Sequence, residues 1–257
     1  MRLSLLTPLD RLLAPAPIAR KVDWLKGASF AHRGLHGGAI AENSASAFAA
    51  AIARGLGIEC DVQKTSDDQA VVFHDDTLDR LTAESGPIAR RSAAQLHAMA
   101  LGGSADTIQT LRQMLDQVAG QVPILIEVKS RKERPVAAIC LAVRRALEGY
   151  RGAHAVMSFD PRVARWFARH SPLTTRGLIV TEENDKALSG RLRRHLWLWM
   201  AKPDFLAYDV RDLPSRFAAS QRKRGIPVAT WTVRSPDLRE RAAIHADAPI
   251  AEGAGLA

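Results

Sequence analysis

The sequence predicts an α/β protein, a (β/α)8 barrel with a small insertion after the third strand. Three observations point there. Short β-branched runs alternate along the chain with Ala/Leu/Arg segments of helical period, the order expected when parallel strands are joined by crossover helices. Eight such runs can be counted, the number that closes a barrel. The 257 residues are enough for one barrel, and with 47% hydrophobic and 25% charged residues the chain has the balance of a globular rather than a disordered protein.

Residues 1–27 are read as an N-terminal extension packed on a barrel that occupies 28–257. The opening MRLSLL imitates a signal peptide for six residues, until Pro8, Asp10 and Arg11 break the apolar stretch. Strand 28–32 comes next, then helix 45–54, with Ser44 as its cap and Gly55 as its C′ residue. After strand 57–62, the turn Thr65-Ser66-Asp67-Asp68 is too short to hold a helix before strand 70–74, so one βα unit is trimmed. Residues 76–109, polar and Gly-containing, form the insertion. Helix 110–119 leads to strand 123–128, and helix 135–148, ended by Gly149, leads to strand 153–158. The pattern then continues through helix 161–169, strand 176–180, helix 185–200, strand 204–208, helix 214–224, strand 226–232 and helix 235–245.

No window approaches 18 uninterrupted apolar residues, so no spanning helix and no stable membrane insertion are expected. Cys60 and Cys140 cannot build a disulfide framework and are too few for a cysteine metal site, which points to the cytoplasm. The net charge of +9 is unevenly spread: residues 1–128 carry 12 Lys/Arg against 14 Asp/Glu, residues 129–257 carry 24 against 13. The arginines of the basic half are dispersed at helical spacings, as solvated helix faces are, so no nucleic-acid partner is expected. The segment RLRRHLWLWM (191–200) has two readings: an interfacial helix, or a barrel helix with Leu and Trp inward and Arg outward. The second is the ordinary amphipathic pattern and is the expectation.

The chemistry should sit at the C-terminal ends of the strands. In strand 57–62, Glu59 and Asp61 are two residues apart and face the same way; Glu127 and Lys129 share a face of the strand at 123–128. Three carboxylates converging inside a barrel repel one another and are costly to bury, which one divalent cation resolves; an all-oxygen set favours Mg²⁺ or Ca²⁺ over zinc. A purely structural ion-pair network with Lys129 is the alternative. His32 and His74 each end a strand, and a pair of imidazoles can serve as general base and general acid. Arg33 supplies a fork suited to phosphate and Lys129 a point charge. Metal, Arg, Lys and two His describe phosphoryl transfer; a glycosidase has no use for that set.

These residues lie in an ordered series of motifs: AHRG (31–34), EN (42–43) with AF (47–48), ECDV (59–62), VVFHDDTLDRLT (71–82) and ILIEVKS (124–130). MSFDP (157–161), KPDFLAYDV (202–210) and IPVATWTV (226–233) continue it. The series resembles the glycerophosphodiester phosphodiesterases over most of residues 28–234. The resemblance implies hydrolysis of a small glycerophosphodiester to sn-glycerol 3-phosphate and an alcohol. It makes His32 and His74 the acid/base pair, Glu59, Asp61 and Glu127 the metal ligands, and Arg33 and Lys129 the phosphate-binding residues. Glu42 matches the family's Glu-Asn element, where it would orient Arg33 or contact the metal site. Trp231 matches an aromatic that can pack against the glycerol moiety, with a core aromatic as its alternative. A lysophospholipase D-type enzyme acting on membrane lysolipids is the alternative function. Ala41 stands where a Pro is frequent, TVR (232–234) replaces a frequent Thr-Val-Asn, and ADAPIAEG (246–253) lacks the usual acidic closure. These departures bear on recognition of the alcohol group.

Overall fold

The computed structural model describes residues 6–131, 133, 135–183 and 185–256. They fall into two compact units, Phe30–His154 and Met1–Ser29 with Ala155–Ala257. The chain starts with α1 (Thr7–Leu13) and α2 (Ala19–Val22). The middle unit then holds β1 (Phe30–Ala31), α3 (Ala45–Ala53), β2 (Gly57–Lys64), β3 (Ala70–Val72), α4 (Ala93–His97), α5 (Leu111–Val118), β4 (Ile124–Val128) and α6 (Ala137–Leu147). β5 (His154–Ser158), α7 (Pro161–His170), β6 (Thr175–Val180), α8 (Leu188–Ala201) and β7 (Phe205–Asp209) follow. α9 (Arg216–Lys223), β8 (Val228–Val233), α10 (Pro236–His245) and β9 (Ala248–Ala251) complete the order.

In the middle unit β2 is flanked by parallel β1 (Phe30 opposite Gly57) and parallel β4 (Asp61 opposite Glu127). Gly57 is required where it is: a Cβ there would stand 2.5 Å from the Phe30 ring. Ser44 caps α3, its hydroxyl accepting from the Ala47 N–H at 3.1 Å, and Gly55 follows that helix with a φ of 64°, both as expected. Beyond β3 the chain builds a small core of its own, with Leu78, Ile88, Leu96, Leu101 and Ile108 packed on Val71 and Phe73.

The other unit contains five consecutive parallel strands, β5 through β9. Residues 6–29 belong to it. Asp10 is fully buried, its carboxylate accepting at 2.8 Å from His195 Nδ1, Trp199 Nε1 and Gln221 Nε2. Lys21 reaches Asp204 at 2.7 Å, and the Gly27 N–H donates to the Asp247 carbonyl. α1 is therefore turned inside out: it buries Thr7 and Asp10 and exposes Leu9, Leu12 and Leu13.

Among the described residues, three parallel strands in one unit and five in the other, with helices between them, give the (β/α)8 barrel class that the sequence predicts. The membership of the eight differs from the expectation. Residues 70–72 form a strand, but it runs antiparallel to β2, Val72 opposite Val62. A connection of five residues, 65–69, can only fold straight back, because a parallel return needs a crossover of a dozen or more. The eighth parallel strand is instead β9, in the closing segment, where Ala248, Pro249 and Ala251 give little strand signature. Helix α8 also departs from its expected pattern. Leu198 is buried, but Leu188, Leu192, Leu196 and Met200 face solvent, and Arg194 is buried beside Glu182 and the Asp185 carbonyl. Among the described residues no helix is long and apolar enough to cross a membrane.

Candidate active site

The middle unit brings together Glu59, Asp61, Glu127, Arg33, Lys129, Glu42 and His74, which the sequence places on separate stretches. Alternation along β2 puts Glu59, Asp61 and Gln63 on one face, and the parallel register sets Asp61 directly opposite Glu127. Glu59, Asp61 and Glu127 each offer an oxygen within 4.8 Å of the others. Like charges so placed repel, and Lys129, just beyond the end of β4, bridges two of them: Nζ lies 2.8 Å from Asp61 Oδ1 and 2.8 Å from Glu127 Oε1.

Arg33 closes the other side. It follows β1 in a left-handed turn (φ 56°), and Gly34 next to it fits because a Cβ there would lie 2.8 Å from Ala47 Cβ. Its backbone N–H donates to Glu59 Oε2 at 3.0 Å; its guanidinium meets Glu42 Oε1 at 2.7 Å and Asp61 Oδ2 at 3.2 Å. Glu42 thus contacts Arg33. His32, half-buried, follows β1 directly and lies in this turn.

Burial and environment set the charges. Glu59 is pushed well above the usual carboxylate range by burial and by the carboxylates of Asp61 and Glu127. Burial also raises Glu127, with Lys129 opposing it. Burial pushes Asp61 up too, but Lys129, Arg33 and His74 outweigh it and hold its carboxyl below the ordinary value. Lys129 is raised: burial opposes its charge, but Asp61 and Glu127 favour it more strongly. His74 is lowered by burial, only partly offset by Asp61. Three carboxylates against two cations leave a deficit of positive charge at buried oxygens, and Glu59 carries it. This oxygen-only set fits a divalent cation of the Mg²⁺ or Ca²⁺ kind.

Four residues not picked out from the sequence wire the site. Asn43, in a left-handed conformation (φ 55°), donates from Nδ2 to Asp61 Oδ2 at 3.0 Å and accepts from the Asp61 N–H at 3.3 Å. Gln63 holds the backbone after β3, donating to the carbonyls of His74 (3.1 Å) and Asp75. Asp75 takes the His74 imidazole at 2.6 Å on Nδ1. Arg80 then clamps Asp75 (Nε to Oδ2, 2.5 Å) and Glu42 (Nη2 to Oε1, 2.7 Å). Gln63 continues the period-2 face of Glu59 and Asp61, a signal present in the sequence; the Arg80 clamp has no periodic signature. Trp231 lies in the other unit, on β8, half-buried, its Nε1 donating to the Ala207 carbonyl and its ring edge-on to Phe159.

A carboxylate cluster flanked by Arg, Lys and His at strand ends of a (β/α)8 barrel defines a hydrolase of phosphate esters. The glycerophosphoryl diester phosphodiesterase family matches residues 32–250, and the chain belongs to that family; it is a phosphodiesterase. YhdW of Bacillus subtilis (strain 168), named as a candidate glycerophosphodiester phosphodiesterase, is 28% identical over 214 residues, 80% of this chain and 85% of that protein. An Oleispira antarctica phosphodiesterase, solved in complex with the product sn-glycerol-3-phosphate, superposes with a TM-score of 0.77 at 21% identity, covering 88% of this chain and 93% of the other. The Thermotoga maritima glycerophosphodiester phosphodiesterase gives 0.68 at 25% identity, over 87% and 94%.

Proposed function

We propose that this enzyme hydrolyses small glycerophosphodiesters to sn-glycerol 3-phosphate and a free alcohol, with His74 as general base and His32 as general acid. The observation that carries the reading is the convergence of Glu59, Asp61 and Glu127 with Arg33, Lys129 and the Asp75-bound His74.

Glu59, Asp61 and Glu127 would hold one divalent cation, Mg²⁺ or Ca²⁺, whose chemistry is to neutralise charge on the phosphate and make phosphorus more electrophilic. Arg33 and Lys129 bind the remaining non-bridging oxygens, Arg33 with donors beyond those spent on Glu42 and Asp61. Asp75 is held at about 2, chiefly by Arg80, so it is ionised and can only accept. The proton of the His74–Asp75 bond therefore sits on Nδ1. Nε2 keeps its lone pair, and burial, which lowers His74, keeps the ring neutral near pH 7. That is the state a general base needs. His74 takes the proton of the nucleophile, water or the substrate's own glycerol 2-hydroxyl; His32 returns one to the departing alcohol oxygen. Trp231 would pack on the glycerol moiety. The buried free thiols of Cys60 and Cys140 support a cytoplasmic enzyme.

The test is turnover of glycerophosphocholine, glycerophosphoethanolamine and lysophosphatidylcholine by the purified chain with Mg²⁺, Ca²⁺ or EDTA. Release of sn-glycerol 3-phosphate from the water-soluble diesters, lost in EDTA, is expected. Activity indifferent to EDTA removes the cation from the reading. Activity confined to lysophosphatidylcholine replaces the substrate class with the lysophospholipase D alternative.

A further inference from the structure

We propose that α1 and α8 form a docking face for a membrane surface bearing anionic phospholipids. The proposal stands apart from the assignment of substrate and chemistry above, since none of its residues belongs to the candidate active site.

Both helices present the wrong side to water. In α1 the polar residues point inward, with Asp10 fully buried, while Leu9, Leu12 and Leu13 point out, Leu12 with 76% of its surface exposed. In α8 a stripe at four-residue spacing, Leu192, Leu196 and Met200, is exposed in the same way, Leu196 to 55%. The two sets adjoin. Asp10 is gripped by His195 and Trp199, and Leu192 and Leu196 stand three residues before these, on the neighbouring row of the helix. The inversion is anchored, because turning α1 over would unpair a buried carboxylate from three donors. Contiguous exposed leucines of this kind mark an interaction surface rather than scattered surface apolar residues.

Charge says what covers it. Arg11 on α1 and Arg191 on α8 are exposed at the rim; Arg193, also exposed, is paired with Asp185 at 2.6 Å and lies over the Trp197 ring. Neither helix shows an acidic side chain to solvent, since Asp10 is buried and α8 contains no Asp or Glu. Leucines edged by arginines, with Trp199 and Trp197 half-buried beside them, are the composition that seats a helix in the headgroup region of an anionic bilayer. A second copy is the poorer occupant: an isologous pairing would set this cationic rim against itself, in a chain of net charge +9.

Sedimentation of the full-length protein with phosphatidylcholine vesicles, with and without about one-third phosphatidylglycerol, tests this. Wild-type protein should pellet with the anionic vesicles at least about tenfold more strongly than with neutral ones, with a blue shift of tryptophan emission. Leu12→Glu/Leu196→Glu alters two exposed positions, so its circular dichroism melt should match wild type while vesicle binding falls at least about tenfold. Wild-type protein left in the supernatant overturns the proposal. So does undiminished binding of the folded double variant, which would mean general attraction of cations. A wild-type dimer that the double variant dissociates, without vesicle binding, assigns the face to a second copy and overturns it equally.

Discussion

Arg80→Ala isolates the wiring of the active site from its stability. The Arg80 side chain is 48% exposed, so its ion pairs with Asp75 and Glu42 lie largely in solvent and contribute about 0–1 kcal/mol to folding. Its positional effect is larger. Arg80 fixes Asp75, which fixes the His74 ring through Nδ1, and it fixes Glu42, which holds Arg33. Removing it frees two carboxylates at once, one behind the proposed base and one behind the proposed phosphate ligand. Loss of such outer contacts typically costs 10–100-fold, or about 1.4–2.7 kcal/mol of transition-state stabilisation. We expect Arg80→Ala to melt within roughly 2–4 °C of wild type and to lose about 10–100-fold in kcat on glycerophosphocholine, with a smaller change in KM. Added methylguanidinium should restore part of the loss. Steady-state kinetics beside a thermal melt is the assay. A kcat within about twofold of wild type, with the fold intact, would refute the coupling of Arg80 to His74 and Arg33.

His32→Ala and His74→Ala should each keep the fold and lower kcat at least about 10²-fold; near-normal turnover in either removes that histidine from the mechanism. Mg²⁺ or Ca²⁺ at about 100 Kd should stabilise the protein by about 2.7 kcal/mol, seen as a rise in Tm. The rise should grow with pH, because a cation must displace the proton that burial favours on Glu59, and Glu59→Ala should abolish it. An equal rise in that variant would place the ion elsewhere. Asp10→Ala leaves His195, Trp199 and Gln221 without their buried acceptor, a loss of about 3–5 kcal/mol and roughly 6–20 °C in Tm. Burial raises Asp10, but the hydrogen bonds from His195, Gln221 and Trp199 outweigh it and hold its folded pKa below the ordinary 3.8. Its stabilisation is therefore complete above about pH 4 and fades as pH falls through the folded value, so acid should narrow the gap between variant and wild type.

What the sequence alone determined is what local rules control. Strand–helix alternation set the fold class. The period of two placed Glu59 with Asp61 and Glu127 with Lys129, and cap residues such as Ser44 started helices where expected. The direction of β3 was also open to local reasoning, since the five residues before it cannot cross over. Tertiary structure decided the rest, because it depends on contacts between distant segments. Residues 248–251 pair as a strand through backbone hydrogen bonds to β8, whatever their weak propensity. Asn43 and Arg80 matter through oxygens 18 to 38 positions away. α1 and α8 turn their leucines outward because the donors for Asp10 lie 185 to 211 residues along the chain, a partnership that no helical period can announce.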